Sequence, residues 1–278
     1  MAVWGRKIEL FLVDGTADGT ITAELSNWNG KAVKMPRQDL LKSRRKDIEN
    51  AGVYFLFCRE DDGTNSVYIG ESEGIKDRLL QHIRDYNSGK EPYYWTEAVI
   101  FVGRDLNKAF IRYLENRLVE IADGTKRYKV LTKNTYKDTV LKEADVAELE
   151  EFIENIRVLI NTLGYKVLEP IAEERKETEY FYLNSKGVQA KAVQTSEGFV
   201  VLEGSQVTET ITESFQHHTF HRLRSQLIAE RIIENGRFQR DYIFNSPSAA
   251  GAVVRGTSTN GQTAWKTNDG KTLKEASE

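Results

Sequence analysis

Two periodicities alternate along the chain. Runs of five to eight residues with a two-residue apolar alternation give way to longer stretches whose apolar residues recur every three or four positions. Residues 7–13, KIELFLV, predict a strand, with turns at Asp14-Gly15 and Asp18-Gly19 and further strands near 20–25 and, after Asn29-Gly30, at 31–34. Pro36 opens a predicted helix with Leu40, Leu41 and Ile48 on its apolar side. Residues 52–70, GVYFLFCREDDGTNSVYIG, are two β-branched and aromatic runs around a turn-forming segment, the signature of a hairpin. A helix follows with Ile75, Leu79 and Ile83 on one stripe, and 95–102, WTEAVIFV, predicts a third buried strand. Helices are predicted at 107–122, with Phe110 or Ile111, Leu114, Leu118 and Ile121 facing inward, and at 143–163, ended by Gly164.

Residues 170–179, PIAEERKETE, have the composition of a linker, and the character changes after them. Short strands with turns at Ser185-Lys186-Gly187 and Ser196-Glu197-Gly198 precede a helix through about 218–234. Ser246-Pro247 starts a short helix ending near Gly256, and Asn260-Gly261 and Asp269-Gly270 mark a last hairpin around Trp265. The expected fold class is α+β: a β-rich leader and helix over 1–45, a domain of small antiparallel sheet and flanking helices over 46–165, a linker over 166–179, and a separate α+β domain over 180–278.

Composition narrows the function classes. Hydrophobic content of 40% with 29% charged residues describes a globular protein. No apolar run approaches the ~20 residues that span a membrane. The start, Met1 to Lys7, lacks the order of a signal peptide. One cysteine, Cys58, sits in a strand pattern and forms no internal disulfide, which points to the cytoplasm. The net charge of −3 is unevenly spread, with carboxylates dense over 143–179 and basic groupings at 42–46 and from Arg222 to Arg240. Charge alone neither supports nor excludes DNA as a partner.

Chemistry concentrates around the hairpin. Its strands carry Gly52-Val53-Tyr54 and Tyr68-Ile69-Gly70, and the next helix sets Arg78 and His82 one turn apart on one side. Phenols, an imidazole and a guanidinium gathered in this way can take up a proton and stabilise negative charge. Arg78 offers a two-pronged guanidinium, and His82 or a phenol beside it a proton acceptor; Tyr54, Tyr68 and His82 all stay open as the base. Glu115 lies along the apolar edge of its helix and needs a partner, an arginine such as Arg78, Arg112 or Arg117, or a divalent metal. His217, His218 and His221 lack the further ligands that a closed zinc site requires.

Hairpin, paired tyrosines, Arg and His in this order resemble the GIY-YIG nuclease family, with Val53 where isoleucine is usual. The resemblance implies a metal-dependent DNA endonuclease in which Glu115 binds a single Mg²⁺ or Mn²⁺ and Asn134 helps position substrate. It implies in-line attack by water, Arg78 stabilising the phosphorane, and a setting in restriction or anti-phage defence. A homodimer would suit a nuclease that makes two cuts. The alternative is a GIY-YIG scaffold that binds nucleic acid or a modified base without cutting. The order SPSAA, Asn-Gly, Trp-Lys, Asp-Gly-Lys over 246–271 is similar to a C-terminal domain of unknown function often attached to such nucleases, and to modified-adenine reader domains, with Gln262 where that pattern usually has tryptophan.

Overall fold

A computed structural model describes residues 4–60, 63–133, 140–171, 179–185 and 187–278. The chain divides into two compact units, one reaching to Pro170 and one beginning at Ile171.

The first unit is built on a seven-stranded sheet in the order β1-β2-β3-β6-β4-β5-β7. Its strands are β1 (Ile8–Leu12), β2 (Ile21–Leu25), β3 (Gly30–Pro36), β4 (Gly52–Arg59), β5 (Asn65–Ser72), β6 (Trp95–Gly103) and β7 (Lys129–Val130). All neighbours are antiparallel except β5 and β7. Helices α1 (Arg37–Leu40), α2 (Ile75–Asn87), α3 (Lys108–Thr125) and α4 (Glu143–Thr162) cover it. Alternation along β4 sends Val53, Phe55 and Phe57 into a core shared with α3 and α4, while Tyr54, Leu56 and Cys58 enter a second core with α2. With both faces covered, β4 reads as an unbroken apolar run. Cys58 is buried, and burial pushes its thiol up to about 11.

The described residues of the expected leader, 4–45, do not stand apart from the next domain. Their strands extend the main sheet, with β3 laid against β6 from Gly30–Gly103 to Pro36–Glu97, because Ala32, Val33 and Met35 are apolar on both faces and need cover on both. The sheet is correspondingly larger than the small one expected. The helix expected from Pro36 to Ile48 stops after one turn at Leu40, leaving Leu41 exposed. Ser43 Oγ accepts from the Arg45 N–H at 3.4 Å and Arg45 bonds Asp47, so side chains there compete with helical pairing. Val167 and Leu168 are buried in the first core and Arg157 pairs with Glu169, so the start of the expected 166–179 linker is packed chain; residues 172–178 lie outside the described residues.

The second unit has a four-stranded antiparallel sheet, β13-β10-β9-β8, and a two-stranded one, β11-β12. The strands are β8 (Tyr180–Ser185), β9 (Val188–Thr195), β10 (Gly198–Val201), β11 (Ile233–Glu234), β12 (Arg237–Phe238) and β13 (Tyr242–Phe244). The helices are α5 (Glu213–Gln216), α6 (Thr219–Ala229), α7 (Pro247–Arg255), α8 (Gly261–Ala264) and α9 (Leu273–Ala276). Ser246 caps α7 as expected, its Oγ accepting from the Ala249 N–H at 3.1 Å, and Gly256 ends the helix at φ 60°. Asn260-Gly261 is not the hairpin turn expected: Asn260 caps α8, accepting from the Gln262 N–H at 3.0 Å. A Cβ on Gly261 would lie 2.3 Å from the Pro247 carbonyl carbon, so only glycine lets α8 start against α7. Trp265 is fully buried and donates to the Pro247 carbonyl at 3.0 Å. No helix among the described residues is long and apolar enough to cross a membrane.

Candidate active site

The hairpin register places the two tyrosines. Tyr54 on β4 sits opposite Gly70 on β5, and Leu56 opposite Tyr68, so both phenols occupy one sheet face with ring centres 6.3 Å apart. The motif glycines are steric necessities. A Cβ on Gly70 would stand 2.5 Å from the Tyr54 hydroxyl, and one on Gly52 would stand 2.1 Å from the Phe101 carbonyl oxygen.

Helix α2 brings His82 and Arg78 beneath the phenols. His82 is completely buried, with Nε2 2.9 Å from the Tyr54 hydroxyl and Nδ1 2.8 Å from Glu91 Oε2. An ionised carboxylate only accepts, which assigns the proton to Nδ1 and leaves Nε2 as acceptor for the Tyr54 O–H. Burial lowers the His82 pKa and outweighs the Glu91 carboxylate, which raises it; the ring is held neutral. Burial also raises the Tyr54 pKa, with the neighbouring Tyr68 adding to it, while the Arg78 guanidinium draws both phenols toward ionisation. Arg78 itself is half-buried; desolvation lowers its pKa, and the Tyr54 and Tyr68 phenols beside it together outweigh that and raise it. Tyr93 stacks on Tyr68 at 5.6 Å and extends the aromatic wall.

Glu91 escaped the sequence reading. It follows Gly89, just after α2, where no periodicity marks it. Backbone bonds from Lys90 and Glu91 to the Asp85 carbonyl, 2.9 and 3.3 Å, fold the chain back so that Glu91 meets His82. The available signal was a carboxylate directly after a helix stop, close behind a helix histidine.

Glu115 is more buried than its edge position on α3 implied, at 6% exposure, and its Oε2 has no hydrogen-bond partner. Burial and then the neighbouring Glu71 carboxylate push its pKa up to about 7, although a Glu71 backbone bond, Lys108 and Arg78 pull it down. None of the three arginines gives it a direct ion pair in the described structure: Arg117 holds Glu150 at 2.8 Å, Arg112 lies 3.9 Å from Glu71, and Arg78 acts only through its charge. Lys108 Nζ binds both Glu71 oxygens at 2.8 Å, so of the two neighbouring carboxylates it is Glu115 that keeps an oxygen without a partner. Its charge reaches Tyr54 and Tyr68, raising both.

Asn134 lies outside the described residues. The segment leading to it is tied to β5, since Thr132 Oγ1 accepts from the Ile69 N–H at 2.9 Å and donates to its carbonyl at 2.7 Å. His218 acts as a helix cap, accepting from the Phe220 N–H at 3.3 Å. No group of three or more metal-binding side chains occurs among the described residues, so a cation at Glu115 would take most of its ligands from water and substrate.

Comparison with known proteins reaches the second unit only. Residues 181–277 match the family described as a domain of unknown function, DUF4357, which accounts for the four-stranded sheet, α7 and the Trp265 core. No curated protein and no solved structure matches the chain.

Proposed function

We propose that this chain is a metal-dependent endonuclease that hydrolyses DNA phosphodiester bonds with GIY-YIG chemistry. One observation carries the reading: a hydrogen-bonded chain Tyr54–His82–Glu91 lies beside the Arg78 guanidinium, within electrostatic reach of a buried carboxylate that has an unpartnered oxygen. A structural ion-pair network would have satisfied that oxygen. The match of the second unit to DUF4357, a C-terminal domain found in some GIY-YIG proteins, supports it independently.

In this reading Arg78 grips the non-bridging oxygens of the scissile phosphate and stabilises charge that grows there during in-line attack. Tyr54 takes the proton of the attacking water as its own passes to His82 Nε2, and Glu91 stabilises the imidazolium that forms. Tyr68, the less buried phenol, orients the water with Arg78. Glu115 is the residue that would hold Mg²⁺ or Mn²⁺; when bound, such a cation supplies Lewis-acid stabilisation of the leaving 3′ oxygen. Asn134 belongs to the proposed set through the resemblance, as a positioning group for substrate. The second unit is an accessory DNA-contacting module, and the setting we infer is restriction or anti-phage defence in the cytoplasm.

Supercoiled plasmid, methylated and unmethylated, incubated with Mg²⁺ or Mn²⁺ tests the reading. The wild type is expected to nick or linearise it and Glu115→Ala to leave it intact. Equal inertness of both proteins on duplex, single-stranded, branched and RNA substrates would overturn catalysis and leave a binding module on the same scaffold.

A further inference from the structure

The two edges of the seven-stranded sheet are unlike each other. β7 is two residues long, a length that gives another chain little to pair with. β1 is five residues long, and its apolar side chains stand in water: Leu10 is 49%, Phe11 60% and Leu12 41% exposed, with Trp4 just before them at 83%. Helix α4 packs against β2 and β3, and its core includes Ala23 and Leu25. The β1 partners of these residues, Leu10 and Ile8, lie on the same sheet face. A five-residue edge strand that is apolar except for Glu9 has little of the protection that solitary edges carry.

We infer that β1 pairs antiparallel with β1 of a second copy of this chain, across a two-fold axis at Ile8. The backbone dictates which residues face out. Val13 N–H bonds the Thr20 carbonyl and Ser26 N–H bonds the Lys7 carbonyl, so the odd-numbered residues of the strand spend their amides on β2. The even-numbered ones, Ile8, Leu10 and Leu12, point theirs away from the sheet. Two-fold pairing therefore sets even residues opposite even ones, and side-chain charge selects among the registers.

With Ile8 opposite Ile8, Lys7 faces Glu9 twice, in the narrow pairs where side chains approach most closely. Trp4 then covers Leu12, and Phe11 lies over Gly5, where no side chain obstructs the ring. Moving the axis to Glu9 sets Glu9 against Glu9, and moving it to Leu10 sets Glu9 against Phe11. Of these registers the Ile8 one alone sets Lys7 against Glu9; it also sets Arg6 beside Leu10, with the Arg6 guanidinium drawn off to Asn155. Arg6, bonded to Asn155 at 3.2 Å, anchors the start of the strand on α4. This inference does not depend on the nuclease reading.

Sedimentation equilibrium of the full chain tests it through charge exchange. The wild type is expected to be a dimer. Lys7→Glu alone sets glutamate against glutamate and Glu9→Lys alone sets lysine against lysine; each is expected to weaken the dimer about tenfold. The double variant K7E/E9K restores it, and mixing the two single variants yields heterodimers. Both side chains are exposed, so thermal unfolding should show the fold unchanged. A monomeric wild type overturns the proposal, as does a dimer indifferent to these charges. A monomer with slow hydrogen exchange at the Leu10 and Leu12 amides also overturns it, by placing another segment of the same chain on the edge.

Discussion

Helices α2 and α3 each bury an ionisable side chain beside the same hairpin, and they treat it in opposite ways. His82 on α2 spends both ring nitrogens, one on Tyr54 and one on Glu91. Glu115 on α3 keeps one oxygen without a partner at nearly the same depth. A satisfied buried group adds rigidity and a defined tautomer. An unsatisfied carboxylate costs stability, and a fold that retains it holds a position open for a cation or a proton. In the proposed reading the contrast corresponds to different duties, proton handling on α2 and cation holding on α3.

The strongest challenge to that division is Glu115→Gln. Cleavage should fall at least ~1,000-fold, because the amide is neutral and binds a hard cation poorly. The fold should gain stability at the same time. Burial raises the carboxyl to about 7 from an ordinary 4.5, so the folded chain prefers it protonated. That preference costs nothing below the ordinary value, grows as pH rises between the two, and is complete above 7. With divalent ions chelated, thermal unfolding should show E115Q level with wild type near pH 4 and ahead by roughly 3 kcal/mol above pH 7. Loss of activity together with loss of stability would place Glu115 among ordinary packing residues.

Arg78→Lys removes the fork while keeping the charge and should cost about a hundredfold in single-turnover cleavage, with little change in unfolding. A lysine that performed equally well would reduce Arg78 to a surface charge. Gly70→Ala acts on α2's partner from the strand side. Its Cβ would meet the Tyr54 hydroxyl at 2.5 Å, so the phenol must leave His82. We expect roughly 1–3 kcal/mol of destabilisation, read by denaturant titration, and a drop in rate of roughly thirtyfold.

How far these features could be read beforehand depended on whether one segment carried them. The β4 run, the α3 stripe of Ile111, Leu114 and Leu118, and the Ser246 cap are local patterns, and they fold as their spacing predicts. The α2 spacing likewise set Arg78 and His82 on one side, under the tyrosines. What local pattern could not supply was partnership. Ala32 and Val33 announce a strand but not that it joins β6. Asn260-Gly261 serves hairpin turns and helix starts equally, and only the packing of α8 on α7 decides between them. Glu91 has no periodic neighbour, and its meeting with His82 exists only once the loop after α2 folds back.

Glu91 supplies the smallest and most discriminating expectation. Glu91→Gln still accepts from Nδ1–H, so the tautomer and the Tyr54 bond persist and unfolding should barely move. What disappears is the negative charge that steadies His82 once it has taken a proton. If α2 handles the proton, cleavage should fall roughly tenfold, about 1.4 kcal/mol of transition-state stabilisation. The pH profile supplies the sign. His82 must be neutral to accept, so activity falls as pH drops through its pKa, which burial already places below the ordinary value. Glu91 raises that pKa, and removing its charge lowers it further. The acid limb of the profile should therefore move to lower pH in E91Q even as the plateau falls. A lower plateau with an unmoved acid limb would mean that His82 braces the hairpin without taking the proton, and the distinction between the two helices would then rest on Glu115 alone.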